Sequence, residues 1–186
     1  MRTALAVLLL AVLAGVAQAQ VGNLDERLVP IAGAPLLVTN VSAGWQVPAW
    51  ASEAHQKATQ TYDTLPLYMQ VQNTDTKPVF AYRFMVVAYD AFGDYVDTIR
   101  VSAVVALAPQ AADYGRWSLR IRQPWLAATV AVYLDAVRYQ DGGLWRIDPE
   151  SVAALFPTAV PGVRFHSWHI IPAERETLGQ IYKDAG

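Results

Sequence analysis

The sequence contains no cysteine among its 186 residues. This absence excludes disulfide bonds and a thiol nucleophile, so the fold must be held by packing and hydrogen bonding. Charged residues are also scarce, at 16% of the chain, and the formal net charge is −2. A composition this close to neutral gives no support for electrostatic binding to nucleic acid or to an anionic membrane.

Long apolar runs are missing beyond the N-terminus. There, Arg2 precedes an apolar run from Ala4 to Val16, and Ala17-Gln18-Ala19 provides the small residues of a cleavage site. These features predict a secretory signal peptide over residues 1–19. The run is shorter than the roughly 20 residues that span a bilayer, which disfavours a membrane anchor. We therefore expect a mature chain that begins at Gln20 and works outside the cytoplasm, in a periplasm or after secretion.

Sequence motifs of covalent catalysis are absent as well. The chain has neither a Gly-x-Ser-x-Gly elbow nor a Ser-x-x-Lys pair. A glycosidase needs two carboxylates across a cleft, but the few glutamates fall outside the predicted sheets: Glu26, Glu53, Glu150, Glu174 and Glu176. The sequence thus predicts no catalytic residues, no cofactor and no enzymatic activity.

Alternation of apolar and polar residues predicts a chain built mostly of strands. It is clearest from Arg116 to Arg122, where every second residue is apolar. The apolar face of a later strand changes side near Asp135, as a β-bulge would cause. Asp141-Gly142 then predicts a tight hairpin turn. Further strands are predicted at 35–41, 65–72, 79–89, 95–105, 128–139, 144–147 and 163–171.

A short helix is predicted after these strands. Asp148 can cap it, Pro149 suits its first position, and Pro157 should end it by Phe156. The expected fold is an all-β, immunoglobulin-like sandwich of about seven strands with this helix and a C-terminal extension. Its divisions are the signal peptide, an N-terminal arm and first strand (20–64), the sandwich core (65–148), and the helix with the extension (149–186).

Three short motifs in the middle of the chain occur in an order that is also found in a known type of domain. They are Val71-Gln72-Asn73-Thr74 with Lys77-Pro78-Val79, Phe84-Met85-Val86-Val87-Ala88-Tyr89-Asp90 before Gly93, and Asp141-Gly142-Gly143-Leu144-Trp145. Residues 65–148 thereby resemble bacterial extracytoplasmic immunoglobulin-like domains of the FxLYD type, although Ala88 stands where that motif has Leu. The resemblance implies a binding or scaffolding module without catalytic residues to transfer.

Candidate binding residues fall into two groups. Trp45, Trp50 and Trp125 lie in predicted loops, where they would stack on sugars, anchor a protein partner, or plug the ends of the sandwich. Arg116, Arg120 and Arg122 share one face of the predicted strand 116–122. That face would bind an acidic partner, or it is a solvated outer face that discourages aggregation.

Two clusters have residue types that bind metals. His166 and His169 would support zinc if a carboxylate joined them, but on a strand their spacing places them on opposite faces. Asp90, Asp94 and Asp97 surround a predicted turn without the spacing of a calcium loop, which favours turn chemistry. The sequence therefore predicts no metal site, although a metal-dependent protein that uses the histidine pair stays a third hypothesis.

The first functional hypothesis is a non-catalytic extracytoplasmic module that contacts a protein or another envelope component. The second is a carbohydrate-binding module that uses the loop aromatics.

Overall fold

The computed structural model describes residues 24–44 and 64–170 of the chain. One α-helix, α1 (Pro149–Ala159), and two 3₁₀ turns (Pro124–Leu126 and Ser167–Ile170) lie in these ranges. No helix there is long and apolar enough to cross a bilayer. The strands are β1 (Asp25–Leu28), β2 (Leu36–Ala43), β3 (Leu65–Asn73), β4 (Val79–Tyr89), β5 (Tyr95–Leu107), β6 (Ala112–Leu119), β7 (Thr129–Tyr139) and β8 (Leu144–Arg146).

The strands form two sheets. The larger sheet has the order β1-β7-β4-β5, with β8 also paired to β7, and the smaller has the order β2-β3-β6. Every pairing is antiparallel except that of β1 with β7. The predicted all-β sandwich is confirmed, with eight strands in the described ranges where about seven were expected.

The main core lies between the two sheets. Inward-facing residues of β4, such as Phe84 and Val86, meet inward-facing residues of β3, such as Leu67 and Met69, and all four are fully buried. Alternate residues of a strand point to opposite faces, so the period of two in the sequence places this apolar set on one side. Burial of such side chains supplies most of the stabilisation.

A second core covers half of the outer face of the larger sheet. Met85, Val87 and Tyr89 of β4 face outward here, and α1 packs Val152 and Phe156 onto them. The helix therefore adds a third layer, and it explains why β4 is apolar on both faces rather than alternating. The 3₁₀ turn Ser167–Ile170 completes this layer.

Local features of β7 agree with the sequence. Arg83 pairs with Ala136 and Phe84 with Leu134, so Asp135 is the extra residue of a β-bulge, as predicted. The predicted hairpin turn is also present, since the Tyr139 N–H donates to the Gly143 carbonyl at 2.9 Å. The bulge explains the change of side in the apolar pattern.

The helix is longer than its proline suggests. Asp148 caps it as predicted, with its carboxylate accepting from the main-chain N–H groups of Glu150 and Ser151. However, the helix continues through Pro157 to Ala159. A proline costs a helix one hydrogen bond and crowds the preceding turn. Burial of Phe156 and Val160 against the sheet, on either side of the proline, offsets that cost.

Two other predictions about the ends of the domain are wrong. Of the predicted strand 163–171, the described residues 163–170 do not form a strand, because Phe165 and Ile170 pack into the second core instead of pairing with a sheet edge. The region 20–64 contains β1 as well as β2. β1 has only four residues, three of them charged, so it carries no visible period, and it is defined by its pairing with β7.

Candidate functional site

One end of the sandwich gathers several loops and is called the loop end below. It consists of residues 90–94, 120–128 and 161–170. β4 ends here, at Tyr89 opposite the start of β5 and of β7. β6 ends here too, with Leu119 opposite Leu65. The third segment joins them because the Arg164 N–H donates to the Gly93 carbonyl at 2.8 Å.

Large apolar side chains project from these loops into solvent. Phe92 is 80% exposed, Trp125 69%, Trp168 55% and Leu126 43%. Loops are normally polar at such positions, and apolar side chains collected on a surface mark sites of interaction. The loop end is therefore the candidate functional site.

The turn that carries Phe92 is held by its aspartates. One Asp90 carboxylate oxygen accepts from the main-chain N–H groups of Phe92 and Asp94, each at 2.9 Å. Asp94 in turn pairs with the Arg164 guanidinium at 2.8 Å. Asp97 accepts from the main-chain N–H of Arg122 at 3.0 Å. The predicted turn chemistry is confirmed for Asp90, which fixes Phe92 in an exposed position, whereas Asp97 lies in β5 rather than in the turn.

Trp125 stands on a short 3₁₀ turn. Pro124 is buried beneath it, and the Leu126 N–H donates to the Gln123 carbonyl at 2.9 Å. The next segment is tied to the larger sheet because the Ala128 N–H donates to the Tyr89 carbonyl at 2.8 Å. The turn thus holds the indole outward, and the predicted loop position of Trp125 is confirmed.

Trp45 and Trp50 lie outside the described residues. Gly44 and Thr64 flank the segment that contains them. The Gly44 N–H donates to the Pro66 carbonyl at 2.9 Å, next to Leu65, which pairs with Leu119 at the end of β6.

Trp168 is supported by the half-buried ring of Tyr95 and the buried ring of His169. Its indole makes edge-to-face contacts with Tyr95, at 5.0 Å between centroids, and with His169, at 4.2 Å. The His166 imidazole lies nearly parallel to it at 6.2 Å. More than half of the indole surface nevertheless faces solvent. Such contacts restrict the ring before any ligand arrives, which lowers the entropic cost of binding.

His169 is the buried centre of this support. It is 1% exposed and stacks on Tyr95 at 4.4 Å. Its Nδ1 lies 3.2 Å from the His166 main-chain N–H, which donates to it, and 3.3 Å from the Tyr89 hydroxyl. Burial, with a further contribution from His166, lowers the pKa of His169. The imidazole is therefore neutral at pH 7, with Nδ1 as acceptor and the proton on Nε2.

The histidine pair does not assemble a metal site in the described ranges. The two rings lie 5.2 Å apart because a 3₁₀ turn, and not the predicted strand, carries His169. However, Nδ1 of His169 is already engaged by hydrogen bonds. Residues 24–44 and 64–170 contain no group of three His, Asp or Glu side chains able to hold an ion.

The three candidate arginines do not share one strand. β6 ends at Leu119, so Arg120 and Arg122 lie beyond it, exposed at the loop end beside the Trp125 turn. Arg116 lies within β6, and its guanidinium is 5.6 Å from the centre of the Tyr68 ring in the smaller sheet. The loop end thus gathers Arg120 and Arg122 with Trp125, while Arg116 packs against a strand neighbour.

Sequence reasoning missed three of the exposed apolar residues at the loop end. Phe92 lies between Ala91 and Gly93 in a predicted turn, and a large aromatic residue in a turn indicates an exposed apolar side chain. Trp168 was assigned to a strand, and Leu126 follows a candidate residue directly.

Comparisons with known proteins give no family. No family model matches the sequence, and the search of curated proteins found no match. Among solved structures, the chain is similar to an X-ray structure of a hypothetical protein from Peptoclostridium difficile 630. The identity is 8% and the TM-score 0.47, over 67% of this chain and 93% of the other.

Proposed function

We propose that the mature chain is a non-catalytic, extracytoplasmic module of immunoglobulin-like type that binds a protein partner, or another envelope component, through its loop end. The observation that carries this proposal is the exposure of Phe92, Trp125, Leu126 and Trp168 on loops at one end of the sandwich. Loops on a rigid sandwich are a common place for binding residues. The location outside the cytoplasm rests on the signal-peptide pattern at the N-terminus.

The composition of the loop end favours a protein as the partner. Tryptophan and arginine are the residue types most enriched among those that dominate protein interfaces, and Trp125 has Arg120 and Arg122 close to it in sequence. Phe92 and Leu126 are purely apolar, so they gain free energy only when a partner covers them. Such side chains suit an apolar protein surface better than a hydroxylated sugar.

The test is capture of a partner by the mature chain, Gln20 to Gly186, from an envelope extract, compared among variants. Removing an anchor residue from an interface costs roughly 2 kcal/mol or more, so W125A, W168A and F92S should each weaken binding by about thirtyfold. L37S is the matched control, since Leu37 is half exposed on β2 of the smaller sheet.

Two results would contradict the proposal. One is a captured protein that binds the three loop-end variants as well as it binds L37S. The other is a catalytic rate on a common substrate that disappears when a single acidic residue or histidine is replaced.

A carbohydrate-binding module is the second candidate, and one observation favours it. The half-exposed indole of Trp168 is held edge-on by Tyr95 and His169, beside the His166 imidazole. A fixed indole face with polar neighbours suits stacking on a sugar ring. A glycan array separates the candidates: sugar binding that W168A and W125A abolish would favour this function over a protein partner.

A further inference from the structure

The outer face of the larger sheet has a second half, which α1 does not cover. Rows of paired residues cross it from strand to strand. One row runs Arg146, Ala136, Arg83 and Ser102, and the next runs Leu144, Arg138, Ala81 and Val104. Arg100 pairs with Met85 one row nearer to the helix. Directly paired residues on one face are neighbours, so these rows place four arginines together.

We call this half the arginine face. Neighbouring strands are about 4.8 Å apart, so the Cα atoms of Arg146 and Arg83, with one strand between them, are about 10 Å apart. Arg138 is diagonal to both. The apolar members, Phe80, Val104 and Leu144, are each about half exposed. Val104 and Leu144 stand at the two ends of the row that contains Arg138, and Phe80 precedes Ala81 of that row in β4. The face is thus a mixture of guanidinium groups and apolar side chains.

The positive charges are poorly balanced. Arg83 has an ion pair with Asp135, the residue of the β-bulge. For Arg100, Arg138 and Arg146, no carboxylate of residues 24–44 or 64–170 lies within ion-pair distance. Nearby acidic residues along the chain are engaged elsewhere: Asp97 accepts from the Arg122 main-chain N–H, and Asp141 pairs with Lys77. Asp148, two residues after Arg146, caps α1.

Grouped guanidinium groups raise one another's electrostatic free energy, and a partner with carboxylates relieves that cost. Arginine binds carboxylates with two parallel hydrogen bonds, which gives such contacts both strength and direction. We propose that the arginine face is a second binding surface, and that it takes an acidic protein segment whose carboxylates alternate with aliphatic side chains. This proposal does not depend on the function assigned to the loop end.

A protein segment fits the arginine face better than a phosphate polymer does. Phe80, Val104 and Leu144 would add nothing to phosphate binding, whereas aliphatic side chains of a protein would bury them. The chain as a whole also carries a net charge of −2, which gives a polyanion no long-range attraction. Charge complementarity is therefore local, as in a protein interface.

The test uses the mature chain and a fluorescent peptide built from repeated Glu-Val-Asp-Leu units, with fluorescence anisotropy as the readout. R138E/R146E should weaken binding by at least about tenfold at low salt, since paired charges at an interface couple strongly. The matched control is R120E/R122E, which makes the same change of charge on exposed residues at the loop end. It should change the affinity by less than about twofold, because those charges are distant and screened.

Two further measurements make the test specific. V104S/L144S should weaken binding by about fivefold through lost apolar contact, with an unchanged dependence on salt. A peptide in which Gln and Asn replace Glu and Asp should not bind. Thermal unfolding of each variant checks the fold, which surface substitutions at these positions should preserve.

Several outcomes would overturn the inference. These are absence of binding to the acidic peptide, equal weakening by the two arginine pairs, or equal affinity for the amide peptide. Inorganic polyphosphate that binds as tightly as the peptide and ignores V104S/L144S would make the face a phosphate site instead. W125A and W168A should leave peptide affinity unchanged, so failure here is distinguishable from failure at the loop end.

Discussion

The indole ring of Trp117 occupies the space directly over Gly115. A Cβ added at Gly115 would lie 1.7 Å from one ring carbon of Trp117, far inside van der Waals contact. Trp117 is 1% exposed in the main core, and its Nε1 donates to the Ser102 carbonyl at 3.2 Å. A glycine in the middle of β6 therefore makes room for the ring that links the two sheets.

Gly115→Ala should destabilise the domain. The methyl group forces the buried indole out of place, and overpacking of this kind costs about 1–3 kcal/mol. Urea unfolding followed by tryptophan fluorescence measures the change. Ser118→Ala, at an exposed position of the same strand, is the control and should change stability by less than about 0.5 kcal/mol. An unchanged midpoint for Gly115→Ala would contradict the packing described here.

At the end of the sandwich opposite the loop end, the Asn73 side chain links the loop after β3 to the end of β5. Its buried Nδ2 donates to the carbonyls of Lys77, at 2.9 Å, and of Leu107 and Ala108, at 3.2 Å each. Asn73→Ala should cost about 2–3 kcal/mol in unfolding free energy, because it removes several hydrogen bonds made by a buried side chain. Asn73→Asp should cost more at pH 7, because a carboxylate would face those oxygens.

A matched control for Asn73 is Asn40→Ala. Asn40 is half buried and donates to the Gln70 side chain at 2.6 Å, on the outer side of β2. Loss of that hydrogen bond should cost less than about 1 kcal/mol, since water can replace it. Equal effects of the two alanine substitutions in urea unfolding would mean that Asn73 is not a structural link.

Tyr82 connects the sheets through its hydroxyl group, which lies 3.1 Å from an Asp113 carboxylate oxygen in β6. Tyr82→Phe should lower the free energy of unfolding by about 1.5 kcal/mol, as expected for a hydrogen bond to a charged group. Tyr114→Phe removes an exposed hydroxyl that accepts from Gln70 at 2.8 Å. That change should be close to neutral, and thermal unfolding of both variants gives the comparison.

The buried His169 should make stability depend on pH. Burial lowers its pKa in the folded state below the value of about 6.5 for an unfolded chain. As the pH falls below about 6.5, the unfolded state takes up the proton first, so stability is lost. Above that pH both states are neutral and the contribution is complete.

Thermal unfolding of the wild type and of His169→Phe between pH 7.5 and 5.5 tests this dependence. The wild type should lose stability across the interval, and the variant should lose less of it. His166→Gln removes an exposed histidine and should keep most of the wild-type slope. Parallel curves for wild type and His169→Phe would rule out the titration of His169.

The strands were predictable where periodicity was strong. β4 has the predicted bounds, and the change of apolar side in β7 located the bulge at Asp135 correctly. β1 and the tail around His169 were not predictable, since their conformations depend on partners far along the chain: β7 for one, and the outer face of the larger sheet for the other. Helix α1 continues past Pro157 because its packing against the larger sheet outweighs the low helix propensity of proline.

Less of the candidate site could be predicted. Trp125 and the turn role of Asp90 and Asp94 followed from residue types in loops. The arginine face could not be found by reading one strand at a time, because Arg83, Arg138 and Arg146 belong to three strands. Only the register between strands shows that they are neighbours.

One edge of β7 is shared by two short strands. β1 pairs in parallel with its first half, and β8 pairs antiparallel with its second half. Hydrogen bonds from Val29 to the Val132 carbonyl and from Ile147 to the Asp135 carbonyl close most of the interval between them. An open edge of this apolar strand would be a template for another chain. β1 and β8 together therefore cover the edge of β7. The edge is fully covered only once β1 has paired with β7, although more than half of the chain separates these two strands in sequence.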